Sequence, residues 1–176
     1  MVLRDRLPGV PIKKLHKLLY YCQGHHLAAF ETPLFAETIS AWDMGPVVGT
    51  LWKQEKEGEP APPPIELGEA ELNTIGYVVS RYGSLTGRDL ENLTHSEDPW
   101  ILADQNRRPG ESARIELDWI KRYFQTAGAP GDDGEDDVQV DTAAVRQWMA
   151  DVTARPPGSG KIDTAEEIRE RLRRSA

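Results

Sequence analysis

The sequence predicts a mainly α protein: a compact multi-helix domain with at most a small β element, followed by a C-terminal helical extension. Three observations carry this. Apolar residues recur at spacings of three and four in several separate segments. Proline and glycine stand at the ends of those segments, where helices start and stop. Only one segment, Phe35 to Trp42, reads as extended. With 176 residues, 39% hydrophobic and 28% charged, the chain has material for one core and a tail, and too little for two large domains.

The first helix is expected from Pro11, with Ile12, Leu15, Leu18, Leu19 and Cys22 forming one buried stripe. Gly24 either ends or interrupts it, and the helical composition continues to Phe30 before a turn at Glu31-Thr32-Pro33. After the extended segment, Pro46 reads as the opening of a second helix through Val47, Val48, Leu51, Trp52 and Glu55, closed by Gly58. Pro60 and Pro62 to Pro64 then predict an extended, polyproline-like loop. A helix over about Glu69 to Tyr82 is expected to bury Leu72, Ile75, Val78, Val79 and Tyr82.

The sharpest local signal follows Gly83. Thr86 stands three residues before Asp89, close to a capping box, with Leu85 and Leu90 in the flanking staple positions. That helix is interrupted at Thr94 to Pro99, where Thr94 and Glu97 read as a second capping box and Pro99 as the first turn of the next helix. Ile115 to Phe124 places Leu117, Ile120 and Phe124 on one side. The expected domain therefore covers residues 1–125. An acidic, glycine-rich linker over 126–140 lacks large apolar groups, and residues 141–176 form a short helical extension. Within it, one helix candidate carries Val145, Trp148, Met149 and Val152. Another starts at Thr164, with Glu167 as its capping partner, and carries Ile168 and Leu172.

Several function classes are disfavoured. No run approaches the roughly 18–20 apolar residues that span a bilayer, and Met1 to Pro8 lacks the apolar stretch of a signal peptide, so the expected location is the cytoplasm. The single cysteine, Cys22, permits no internal disulfide and falls in the helical stripe as a small hydrophobe. With a formal net charge of -8, nucleic acid is not the expected partner. Lys13-Lys14-x-x-Lys17 is the only basic cluster before the tail and reads as a solvated face, so a basic protein is the better electrostatic match.

His25, His26 and His95, with Glu97 or Asp98, are the residues that could suggest a metal or a small hydrolase. Adjacent helical histidines point about 100° apart and do not readily chelate together, and no His-Glu-x-x-His or Cys-x-x-Cys is present. His95 reads instead as a structural residue bonding backbone in its turn. No Gly-x-Ser-x-Gly and no phosphate-binding glycine loop occurs, so no catalytic residue, metal or cofactor is expected.

Three stretches together resemble the Panacea (SocA-like) antitoxin domain family. They are Lys14 to Leu27, with its Lys17-Leu18-Leu19-Tyr20-Tyr21 core, then Ile39 to Val48, with Ala41-Trp42-Asp43-Met44-Gly45-Pro46-Val47, then Leu93 to Trp100, with Thr94-His95-Ser96-Glu97-Asp98-Pro99-Trp100. Each is weak alone; their order and spacing make a specific combination covering about residues 10 to 125. The resemblance implies a non-enzymatic antitoxin that neutralises a cognate protein toxin by direct binding, in the setting of a mobile element or phage defence. It also implies a variation in which the toxin is handed to a protease by an adaptor. The motif residues it marks, as structural or interface positions, are Lys17, Leu18, Tyr20, Tyr21, Ala41, Trp42, Gly45, Pro46, Val47, Thr94, His95, Pro99 and Trp100.

Other residues are candidates for the toxin interface. Trp42 is expected in the core, while Trp52 reads equally as core or as an interface anchor, since tryptophan is enriched at hot spots. Trp148 and Met149 either dock on their own domain or lie in a groove of the toxin. The last stretch, Arg169 to Arg174 with Arg171, Arg173 and Arg174, forms a solvated helix end or a contact with nucleic acid or with a toxin's acidic or nucleotide-binding cleft.

Overall fold

Helix α2 (Ile12–Phe30) is the element against which the others are built, packed by α4 (Glu69–Tyr82), α5 (Gly87–His95), α7 (Leu117–Ala127) and strand β2 (Gly45–Val48). The computed structural model describes residues 2–60, 63, 65–127 and 164–174. Surrounded on so many sides, α2 buries far more than one stripe: Leu15, Leu18, Tyr20, Tyr21, Cys22 and Leu27 are all buried, as are His16, Lys17, Gln23 and His26. The helix runs unbroken through Gly24 and ends at Glu31, which takes a left-handed conformation with φ 61°. A short α1 (Val2–Arg6) lays Leu3 into the same core.

The expected β element is present but larger than its sequence signal. Strand β1 (Ile39–Trp42) pairs antiparallel with β2 across the two-residue turn Asp43-Met44, in the register Ile39↔Val48 to Trp42↔Gly45. A third strand, β3 (Ala113–Arg114), pairs with the other edge of β1, so the order is β2-β1-β3. This corrects the reading of Pro46 as a helix opener. Pro46 sits in β2 opposite Ala41, and helix α3 (Gly49–Glu57) begins only after Val48. Proline has no N–H for a ladder, but β2 is an edge strand, where that loss is tolerated. Gly58 does end α3, in a left-handed conformation.

On α4 the buried side is Thr74, Ile75, Val78, Val79 and Tyr82, whereas Leu72, expected inside, is 36% exposed. In the first turns the inward position belongs to Thr74, whose hydroxyl pairs with His26 Nδ1 at 2.9 Å. The capping box of α5 forms as expected: the Asp89 N–H donates to Thr86 Oγ1 at 3.1 Å, and the Thr86 N–H donates to Asp89 Oδ2 at 2.9 Å. Leu85 and Leu90 are buried on either side of it. Replacing Thr86 with alanine is expected to lower stability by about 1 kcal/mol, measured by urea denaturation, because the Asp89 N–H loses its acceptor while the backbone N–H of residue 86 keeps Asp89.

The second expected box does not form. Helix α6 (Asp98–Asp104) is capped at Glu97, and the Thr94 hydroxyl donates back to Leu90 O at 2.9 Å. Glu97 is unavailable to Thr94 because its carboxylate turns into the core. Ile115 precedes α7 and is buried beside β3, while Ile120 and Phe124 form the buried side of α7.

At the C-terminal end, α8 (Ala165–Arg174) packs on α5, with Ile168 fully buried and Leu172 nearly so. Its start shows the predicted box: the Thr164 N–H donates to Glu167 Oε2 and the Glu167 N–H donates to Thr164 Oγ1. The linker from residue 128, the helix candidate around Trp148 and Met149, and Pro62 and Pro64 lie outside the described residues.

Candidate functional site

The three sequence signatures, far apart along the chain, are tied to one another by side-chain bonds. His16 Nδ1 on α2 accepts from the Val48 N–H of β2 at 3.2 Å, joining the first signature to the strand that carries the second. The Tyr21 hydroxyl donates to Glu97 Oε1 at 2.8 Å, joining first to third. The Trp100 indole N–H donates to Trp42 O at 3.3 Å, joining third to second. Lys17 completes the junction. A Cβ on Gly45 would lie 2.9 Å from Lys17 Cε and 3.0 Å from Thr94 Oγ1, so residues of all three signatures crowd one point. Gly45 has φ +97°, so glycine is required there both for the backbone and for the close approach.

Most motif residues are buried. Leu18, Tyr20, Ala41 and Thr94 are fully buried; Tyr21 and Val47 are nearly so, and Gly45, Pro46 and Pro99 are buried. Trp42, expected in the core, is half-buried: its ring forms an edge-to-face pair with Trp52 at 5.1 Å, and its N–H donates to Ser112 Oγ. Trp52 is also half-buried, with the Lys56 ammonium 4.8 Å from its ring centroid.

The lysine cluster corrects the sequence reading. Lys13 is exposed, but the Lys14 ammonium donates to Gly83 O at 2.6 Å, and Lys17 is only 2% exposed. Periodicity could not reveal this, because a long aliphatic stem lets lysine occupy an inward helix position. Burial brings Lys17 down to about 8, against the opposing pull of Glu91.

His95 is also placed differently from expectation. Its ring stacks on Trp100 at 4.0 Å between centroids, and its Nε2 has no hydrogen-bond partner among the described residues. Glu97 is 4% exposed and faces Tyr21, so the structure does not bring these two together as an acid–base pair. His25 pairs with the Tyr82 hydroxyl at 3.0 Å, and burial drives its pKa down to about 3. Among the described residues, no group of histidine, cysteine, aspartate and glutamate could hold a metal ion. Cys22 is buried in the core, which pushes its thiol pKa up.

A cleft of about 280 Å³ opens beside the junction, lined among others by His16, Lys17, Trp42, Met44, Val47 and Trp52. Asp43 and Glu111 also line it, but both are engaged. Asp43 is bound by the Arg107 guanidinium and the Gly110 N–H, and Glu111 Oε2 accepts from the Arg108 N–H. The Asp43–Arg107 pair, 64 residues apart, had no local signature in the sequence. A larger hollow of about 500 Å³ at His25, Tyr77 and Phe124 is broad and open.

Of the tail arginines, Arg171 lies 3.7 Å from Asp89, while Arg173 and Arg174 pair with Glu170 on their own helix. Arg169, at the start of that stretch, donates to Ser96 Oγ at 2.7 Å and lies close enough to Glu97 to favour its charged form.

No helix among the described residues is long and apolar enough to cross a membrane. No curated protein and no solved structure matches the chain. The family model described as "Antitoxin SocA-like, Panacea domain" matches residues 15–101, which run from the first turn of α2 into α6 and contain the three signatures apart from Lys14. Over residues 15–101, about half of its length, the chain is similar to the Panacea domain of SocA-like antitoxins.

Proposed function

We propose that the protein is an antitoxin that neutralises a cognate protein toxin by direct binding, without catalysis, in the cytoplasm. The likeness to that domain supports the class of partner. The observation that favours binding over chemistry is how the reactive residue types are used: Cys22 is core, Glu97 is turned onto Tyr21, and His95 is stacked on Trp100. The half-buried pair Trp42 and Trp52 beside an open cleft offers rigid aromatic area of the kind that anchors protein interfaces. The chain's net charge of -8 suits a basic toxin surface. In this reading Trp52 contacts the toxin, and the region after residue 125, with Trp148, Met149, Arg171, Arg173 and Arg174, adds partner-specific contact.

Co-expression with the product of the gene encoded beside it should yield a complex that survives affinity purification and rescues growth. Trp52→Ala should weaken that complex by about 2 kcal/mol, a loss of roughly thirtyfold in affinity, while the free protein stays folded with only a small fall in melting temperature from the lost Trp42 contact. Full-strength binding by the variant would remove Trp52 from the interface, and absence of any complex would overturn the proposal. A proteolytic adaptor would differ in one respect: toxin levels would fall, and only when a protease is present.

A further inference from the structure

Lys17 is an odd residue to find in a domain core. Its side chain is 2% exposed, yet it makes no hydrogen bond or ion pair among the described residues. A buried ammonium without a partner is strongly unfavourable, and replacing such a group by an apolar side chain commonly stabilises a protein. Beside it, His16 is equally buried. Its Nδ1 accepts from Val48, so in the neutral ring the proton sits on Nε2, and that Nε2 has no partner either. Burial and the neighbouring Lys17 hold His16 near 4, so the ring is neutral at physiological pH.

Among the described residues His16 Nε2 is thus a buried donor without an acceptor, and it lines the same cleft as Lys17, for whose ammonium no hydrogen bond or ion pair is seen there. The charged groups around them do not fill the gap. Glu91 pulls on Lys17 without forming an ion pair, Glu55 acts on His16 from α3, and Arg4 and Lys13 add positive charge. Asp43 and Glu111, the acidic residues lining the cleft, are held by the Arg107–Gly110 segment. The remaining walls, Ile12, Trp42, Met44, Val47 and Trp52, are apolar. Such a lining accepts a group that is anionic at its tip and apolar behind it.

We propose that this cleft is a carboxylate-binding site, in which the Lys17 ammonium and the His16 Nε2–H receive a carboxylate that the partner protein presents on an apolar stem lying between Trp42, Trp52 and Met44. The carboxylate comes from an acidic side chain or from a chain terminus of the toxin; the chemistry is the same. The inference rests on the antitoxin reading for its occupant but not for the site itself. It also accounts for the buried lysine, since a charge kept at the expense of stability is expected where binding needs it.

The test uses four small probes on the full-length protein, followed by tryptophan fluorescence and by NMR of the Lys17 ammonium. N-acetylleucine supplies a terminal carboxylate and N-acetylglutamate α-amide a side-chain one; N-acetylleucinamide and N-acetylglutamine amide are their uncharged counterparts. At least one carboxylate should bind saturably and at least about tenfold more tightly than its amide, as expected for a charge-assisted hydrogen bond in a sheltered site. In the wild type, that affinity should fall as pH rises past about 8, where Lys17 loses its proton. Lys17→Met should remain folded, melt at the same or a higher temperature, and lose the preference for carboxylate over amide.

Which carboxylate binds identifies the source. Absence of saturable binding by both, equal binding of the amides, or an affinity indifferent to pH would overturn the site, even if Lys17→Met failed to fold. A toxin complex that forms normally while carboxylates do not bind would sink this inference alone. Carboxylate binding with no toxin complex would sink the antitoxin reading and leave the site standing.

Discussion

Replacing Glu97 with glutamine is expected to stabilise the protein increasingly as pH rises, by up to about 3 kcal/mol at pH 8 relative to its effect at pH 4.5. Glu97 is 4% exposed, and burial raises its carboxyl from 4.5 to about 7, against the pull of Tyr21, Tyr20 and Arg169. Its folded pKa lies above its unfolded one, so the folded state binds the proton more tightly. The stabilising contribution is complete below about 4.5 and is lost as pH climbs through about 7. Glutamine keeps an oxygen to accept the Tyr21 hydroxyl but has no charge to bury.

The comparison with wild type matters, because other groups act in the opposite direction. Burial lowers His16 to about 4 and His25 to about 3, so each contributes stability above 6.5 that is lost as pH falls toward those values. Acidification below 6.5 should thus destabilise the wild type overall, with two histidines outweighing one glutamate. The difference between the two proteins cancels the histidines and isolates Glu97. Urea unfolding between pH 4.5 and 8.5 measures it; a difference independent of pH would show that Glu97 ionises as freely in the fold as in the open chain.

Gly24→Ala should lower stability by about 1–3 kcal/mol, as overpacking of a filled core does. In an ordinary helix interior the same change is worth about 0.5–1 kcal/mol of stabilisation. Here an added Cβ would lie 2.7 Å from Phe124 Cζ and closer still to two other ring atoms. The ring has little freedom to yield, since it makes edge contacts with Tyr20, Tyr21, His25 and Tyr123. Gly24 is therefore the point where α7 seats against α2. Shortening the ring in Phe124→Leu should relieve part of the Gly24→Ala penalty. The double-mutant cycle should show coupling above about 0.5 kcal/mol. Additive effects would mean that the two helices do not meet there. This contact joins the matched Panacea segment to α7, which lies beyond it, so the folded unit extends past residue 101.

Elements whose evidence is local were legible. The Thr86–Asp89 and Thr164–Glu167 boxes each need only four consecutive residues, and both appear as read. The stripes of α2, α4 and α7 were visible because burial on one side leaves a periodic trace. Errors fell where a neighbour decided the outcome. Pro46 carries the sequence signs of a helix start, and only pairing with Ala41 makes it strand. Thr94 and Glu97 have capping spacing, yet the Tyr21 hydroxyl 76 residues away claims the carboxylate. β3, two residues long, leaves no periodic trace.

By itself, then, the order of residues determined a helix-rich domain with one small extended element, its strongest caps and the three signatures that resemble the Panacea domain. Those properties depend on near neighbours in the chain, whose geometry is set by backbone sterics and helical repeat. Tertiary structure alone decided that Lys17 and His16 are buried, that His16 Nε2 has no partner among the described residues, that Glu97 is an interior carboxyl, and that two tryptophans flank a cleft. Burial and partnership arise from residues brought together across 30 to 76 positions, and no local pattern encodes which of them will meet.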